Sequence, residues 1–171
     1  MRRILQWRGH AYLALAARVY VGVIFLAACW HKIVEPGSFA LDIATYQIMP
    51  LALVNAMAIV LPWVELAAGL MLVVGFRTRA AALLVAGMMT MFTVAIVIAL
   101  HKGLDMSCGC FASQGAVDDP ISWRTIVRDV GWFALALYVL GLDRRPIGID
   151  RLWPRRGAAA PVFRNTSEER S

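Results

Sequence analysis

Four apolar stretches, at about 11–30, 51–74, 80–100 and 125–142, are separated by short polar segments and set the organisation of the chain. The first three are long and unbroken enough to cross a bilayer as helices, which takes about 20 apolar residues. The fourth opens with Arg128 and Asp129 in its first turns, where polar side chains near a helix end can reach the membrane interface. Ser122, following Asp119-Pro120, is placed to cap it. Gly75 and Arg77-Thr78-Arg79 leave so little chain between the second and third stretches that the two must be antiparallel neighbours. Between the first and second, a helical reading of about 38–49 puts Phe39, Ile43 and Tyr46 on one side, with Ser38 as cap and Pro50 as stop. This segment reads as an interfacial helix on the outer surface, a lid near the cysteines described below, with a simple connector as the alternative.

Composition agrees with that pattern. Of 171 residues, 60% are hydrophobic and only 16% charged, which excludes an ordinary soluble domain. The expected fold is an all-α integral membrane protein, a four-transmembrane-helix bundle over 1–142 followed by a basic tail over 143–171. The net charge of +6 does not point to nucleic acid, because the basic residues sit at segment ends and in the tail. Arg2, Arg3 and Arg8 precede the first stretch, Arg77 and Arg79 fill the short turn, and Arg144, Arg145, Arg151, Arg155, Arg156, Arg164 and Arg170 lie in the tail. The other two loops are counted with only Lys32, Lys102 and Arg124. By the positive-inside rule both termini are cytoplasmic, and the loop at about 101–124 faces the periplasm or exterior from a bacterial inner membrane. The tail, with Trp153, is expected to touch anionic lipid and to end in disorder. Leu26-Ala27-Ala28-Cys29 imitates a lipoprotein cleavage box, but Arg18 interrupts the apolar run before it, and a full span is the better reading.

The chemistry concentrates in Cys108-Gly109-Cys110-Phe111, two thiols one residue apart in a polar loop. A bridge between positions i and i+2 closes a small, strained ring, and strained exposed disulfides are the labile or catalytic ones. Gly109 supplies the backbone freedom that such a ring requires. His101 and Lys102 add positive charge that favours the thiolate. Cys29, beside Trp30, His31 and Lys32, comes to the same membrane face and is expected to serve as a resolving thiol; a plain buried cysteine is the alternative. Met106, Cys108, Cys110, His101 and His31 together offer soft ligands, so a Cu(I) site is a second use of the same residues. Met88, Met89 and Met91 at helical spacing read as packing residues, and His10 needs no special role.

Arg18 and Glu65 form a second constellation, since charges inside spans are costly and are paired or functional. Counted from the outer ends of their stretches they lie at depths that agree within roughly 3 Å, which predicts a buried ion pair. In the other reading Glu65, with Pro62 and Trp63 one turn above it, and Arg18 form a proton or quinone site.

The run Arg18, Gly22, Phe25-Leu26-Ala27, Lys32, then Pro36, Phe39, Tyr46 and Pro50, then Leu61-Pro62, Glu65-Leu66 and Gly69, then Cys108-Gly109-Cys110-Phe111, resembles the DoxX/MauE family of redox-associated membrane proteins over about 17–141. Ala112 stands where the family motif usually continues with glycine. The resemblance implies a four-helix membrane bundle, a redox pair at Cys108 and Cys110, and retained membrane charges at Arg18 and Glu65. It also implies work alongside a periplasmic thioredoxin-fold protein or client thiols, with quinone-coupled relatives in the same group. The expected activity is therefore that of a thiol–disulfide oxidoreductase exchanging electrons with such a partner and with the quinone pool. The rivals are Cu(I) handling and a non-catalytic scaffold subunit with a structural disulfide. Ala67, Ala68 and Gly69 allow close helix packing, within the bundle or between copies in a homo-oligomer or membrane complex.

Overall fold

The computed structural model describes residues 10–104 and 122–142. They fold into five helices: α1 (His10–Val34), α2 (Pro36–Thr45), α3 (Leu51–Val74), α4 (Thr78–His101) and α5 (Trp123–Leu142). The four long helices close a ring in which α1 packs on α3, α3 on α4, α4 on α5 and α5 back on α1. The short α2 lies against α3 and, to a lesser extent, α1.

α1, α3 and α4 are long and apolar enough to cross a membrane, and the protein is a multi-pass membrane protein. Their outward faces are apolar, with Leu13, Val23, Ile59, Val60, Leu83 and Val94 all exposed. Such surfaces are stable against lipid rather than water. The inward stripe of α3 repeats at helical spacing through Val54, Ala58, Leu61, Glu65, Ala68 and Leu72. On α4, Met88 and Met89 are buried in the core, as packing residues should be, whereas Met91 is exposed on the outside.

α5 forms where the pattern predicted a fourth helix, but its early charges do not all reach an interface. Arg128 is 30% exposed and stacks over the Trp132 ring at 5.0 Å, whereas Asp129 is 1% exposed and accepts from Arg128 Nε at 3.3 Å. Asp129 is too short to snorkel and is enclosed by the bundle. Ser122 stands immediately ahead of α5, its N–H donating to Thr125 Oγ1 (3.3 Å) and its carbonyl accepting from Thr125 N–H (3.0 Å).

Two turns carry the connections. Gly75, at φ +77°, ends α3 in the left-handed conformation; its N–H and that of Phe76 both donate to the Met71 carbonyl, at 3.0 and 2.9 Å. That double bond to one carbonyl closes a helix with a glycine that no β-carbon obstructs. At the other end, α2 departs from expectation in its bounds: it starts at Pro36 behind Glu35 and stops at Thr45. Ser38 lies inside the helix, its hydroxyl 3.3 Å from Glu35 Oε2, because Pro36 at the first position already sets the entry. The expected face is nevertheless the one that packs: Phe39, Ile43 and Tyr46 are buried.

The register of α1 against α3 is set by two glycines. A β-carbon at Gly69 would lie 3.0 Å from the Gly22 carbonyl oxygen and 3.1 Å from Leu26; one at Gly22 would lie 2.8 Å from a Val73 methyl and 3.0 Å from the Gly69 carbonyl. Only residues without side chains let the two backbones approach this closely. Gly22 is 12 residues from the end of α1 and Gly69 18 from the start of α3, so α3 overshoots α1 by about 9 Å. α2 packs mainly on α3, and this overhang gives it the extra helix surface to do so.

Replacing Gly69 by valine is expected to cost about 1–3 kcal/mol, because the Gly22 backbone has no room to give. Gly37→Ala, whose β-carbon would meet nothing within 4 Å, should change stability by less than about 0.5 kcal/mol. Reversible unfolding of both variants in mixed micelles measures the difference.

Candidate functional site

The charged centre of the bundle is Lys32–Glu65. Lys32 Nζ lies 2.8 Å from Glu65 Oε1 and 3.0 Å from Oε2, and the two side chains are 1% and 2% exposed. The pair holds together because α1 continues to Val34, which places Lys32 inside the helix on its buried face. Two aromatic rings complete the enclosure: Phe39 of α2 at 4.8 Å and Phe92 of α4 at 5.3 Å from Nζ. Ring faces attract a cation most where water is excluded. Four elements thus meet on one ammonium group, α1 supplying it, α3 its counter-charge, and α2 and α4 its ring contacts.

This arrangement corrects the expected Arg18–Glu65 pair. Both carboxylate oxygens of Glu65 are taken by Lys32. Arg18 lies four residues beyond the Gly22 crossing in one direction and Glu65 four beyond Gly69 in the other, so they are about 12 Å apart along the bundle. The depth estimate assumed that the outer ends of the two helices are level, and the overhang of α3 defeats it. Arg18 is itself buried, at 1% exposure, in the opposite half of α1. By sequence Lys32 falls among the loop charges; its position only two residues past a 20-residue apolar run is the signal that places it in the helix.

Beneath the pair is a cavity of about 20 Å³ lined by Ile24, Phe25, Ala28, Met89, Phe92 and Trp132 together with Lys32 and Glu65. Its walls are almost wholly apolar, since the polar atoms of Lys32 and Glu65 are turned to each other. Trp63 is 58% exposed on the outer face of α3 while Glu65 points inward, so the two do not line one pocket.

Cys29 stands one helical turn before Lys32 and is 1% exposed; its thiol donates to the Leu26 carbonyl at 3.2 Å. It is a thiol rather than half of a disulfide. His31 is half-buried, and His101 is exposed at the end of α4. Among the described residues no group of three or more His, Cys, Asp or Glu could hold a metal ion. Met106, Cys108 and Cys110 lie outside the described residues, as do the tail and its Trp153. The chain enters and leaves the cysteine segment at one end of the bundle: Leu104, just after α4, and Ile126, in the first turn of α5, pack with Ile96, Ala99 and Tyr46 from α2's terminus. Lys102 Nζ donates to the Gln47 carbonyl at 3.0 Å, fastening the α4 end to the connection between α2 and α3.

A family model described as methylamine utilisation protein MauE matches residues 10–142, and the chain belongs to that family. It is 30% identical over 125 residues to the methylamine utilization protein MauE of Paracoccus denitrificans, covering 72% of this chain and 66% of that protein. The MauE proteins of Methylophilus methylotrophus and Methylorubrum extorquens are 27% and 31% identical over 139 and 126 residues, covering 81% and 73% of this chain and 73% and 65% of their own lengths. The match thus spans about two thirds to three quarters of these relatives. No solved structure matches.

Removing one charge of the central pair strands the other in the bundle. Lys32→Met and Glu65→Leu are each expected to lower stability by about 3–5 kcal/mol, whereas the double variant, with no charge left to bury, should recover most of the loss. Unfolding of the three proteins in lipid nanodiscs gives the comparison.

Proposed function

We propose that this protein is a membrane-bound thiol–disulfide exchange protein of the bacterial inner membrane, with Cys108 and Cys110 as its working pair. Both termini are cytoplasmic in this reading, α5 is the fourth span, and the segment between α4 and α5 faces the periplasm. The observation that carries it is Cys108-Gly109-Cys110 itself, a pair too close in sequence for a relaxed structural bridge. Support comes from the packing of Leu104 and Ile126, which anchors both ends of that segment beside α2. Membership of a family named for methylamine utilisation suggests an accessory role in that process.

The exchange is ordinary thiol chemistry. A thiolate of a periplasmic thioredoxin-fold partner attacks the Cys108–Cys110 disulfide, giving a mixed disulfide and one free thiolate. The partner's second thiolate then breaks the mixed bond, leaving the partner oxidised and Cys108 and Cys110 reduced. Two electrons must leave the pair for a further round, and a lipid quinone is the acceptor in this reading. In this reading the quinone meets the protein near the outer halves of α1 and α3.

Intact cells treated with a membrane-impermeant maleimide test the reading. The pair should be reached from outside and should accumulate as dithiol when a respiratory inhibitor is added, and Cys108→Ser should abolish the response. A pair fixed as disulfide under both conditions would make the bridge a brace. Thiols that react only after a chelator is added would make the segment a soft-metal site.

A further inference from the structure

The outward surface of the bundle differs from side to side. On α1 and α3 it carries four aromatic side chains with polar atoms, Tyr12, Tyr20, Trp30 and Trp63; α4 contains no Tyr or Trp, and α5 exposes only Trp123, its first residue. Tyr12, Trp30 and Trp123 stand near helix ends, where the headgroup region suits a ring with a polar tip. Tyr20 and Trp63 do not. They are the eleventh of 25 residues in α1 and the thirteenth of 24 in α3, and they are 52% and 58% exposed. At that depth acyl chains offer a hydroxyl or an indole N–H no acceptor. Neither side chain has a hydrogen-bond partner among the described residues.

These groups share one surface, because α1 and α3 pack directly on one another at the Gly22–Gly69 crossing. Measured from that crossing, Trp30 lies eight residues and Trp63 six residues toward α2, so the two rings agree in depth within about 3 Å. Small exposed residues stand beside them at helical spacing, Ala27 on α1 and Ala56 and Ala67 on α3, and leave room for another helix to approach. Of the three small residues at 67–69, Ala68 and Gly69 are used inside the bundle, and Ala67 faces out.

We propose that a second copy of this chain covers the outer face of α1 and α3, forming a membrane dimer about a two-fold axis along the bilayer normal. Such an axis sets each residue opposite residues of its own depth. The Tyr20 hydroxyl, both donor and acceptor, then meets an identical hydroxyl, and Trp30 of one copy meets Trp63 of the other. Charge does not oppose the pairing: Arg18, Lys32 and Glu65, the charged residues of α1 and α3, are all buried. The other faces fit a second copy less well. α5 presents Arg124 and part of Arg128, so pairing through it would oppose like charges. On α4 the exposed Thr90 already donates to the Ala86 carbonyl and needs no partner from outside. The dimer does not depend on the thiol–disulfide chemistry.

The test uses the full chain, labelled at its N-terminus with a donor or an acceptor dye, in phosphatidylcholine–phosphatidylglycerol liposomes. Energy transfer between copies is followed as lipid is added. Transfer should exceed that of copies placed at random and should fall along a monomer–dimer curve on dilution. Trp63→Leu, which keeps an apolar side chain against lipid, should weaken association about tenfold or more, and Tyr20→Phe about threefold. Leu83→Ala, on the exposed face of α4, should leave association unaltered. Transfer no greater than random at every density overturns the dimer, and association indifferent to Trp63→Leu and Tyr20→Phe overturns its placement on α1 and α3. Where either variant does not fold, Ala67→Cys is placed in a chain whose own three cysteines are serine. Oxidation with copper–phenanthroline should then link two copies through position 67 and not through Leu83→Cys; a chain that links through position 83 or through neither overturns the proposal.

Discussion

A charge pair enclosed on all sides governs this bundle. Desolvating an ammonium and a carboxylate costs several kcal/mol each even after relaxation, and their attraction offsets that only when the geometry is close and the remaining donors are satisfied. Here both oxygens of Glu65 receive Lys32 Nζ, and two ring faces take the directions left open. Sliding α1 against α3 by one turn would part the charges by about 5 Å and leave both buried, so the pair admits one register. Because Phe39 and Phe92 belong to α2 and α4, that register extends to the whole α2 end of the molecule.

The glycine crossing below it works by a different force toward the same result. In lipid there is little hydrophobic gain from bringing helices together, so close backbone contact and buried polar bonds must do it. Gly22 and Gly69 give contact without specifying much beyond distance; Lys32 and Glu65 give direction and rotation. The offset these two constraints impose leaves the start of α3 projecting past α1, and α2 packs on α3 through Phe39, Ile43 and Tyr46. The covering over the ion pair is therefore a consequence of the register that the ion pair fixes.

Much of this was legible beforehand for a simple reason. Long apolar runs interrupted by turn residues have few alternatives in a membrane, and α3 begins and ends at the residues the pattern indicated, Leu51 and Val74. The spacing of Phe39, Ile43 and Tyr46 likewise identified the packing face of α2, though not its first turn, which Pro36 sets. What the pattern could not carry was the offset between helices. It depends on a backbone contact between two glycines 47 residues apart, and without it Arg18 and Glu65 looked level. Lys32 was misread for a related reason: a basic residue just past an apolar run marks a helix end by default, and only the continuation of α1 to Val34 turns it inward. The cysteine pair is a different case: it stands out in the sequence, and it lies outside the described residues.

Stability does not account for a charged centre of this kind. Well-packed apolar side chains of similar volume are commonly as stabilising as a buried ion pair, or more so. They would leave the rotation of α1 on α3 less defined, since the glycine crossing limits little beyond distance. What the pair adds over hydrocarbon is direction: two short bonds and two ring contacts, from four helices, fix how α1 is turned on α3 and where α2 and α4 sit against them.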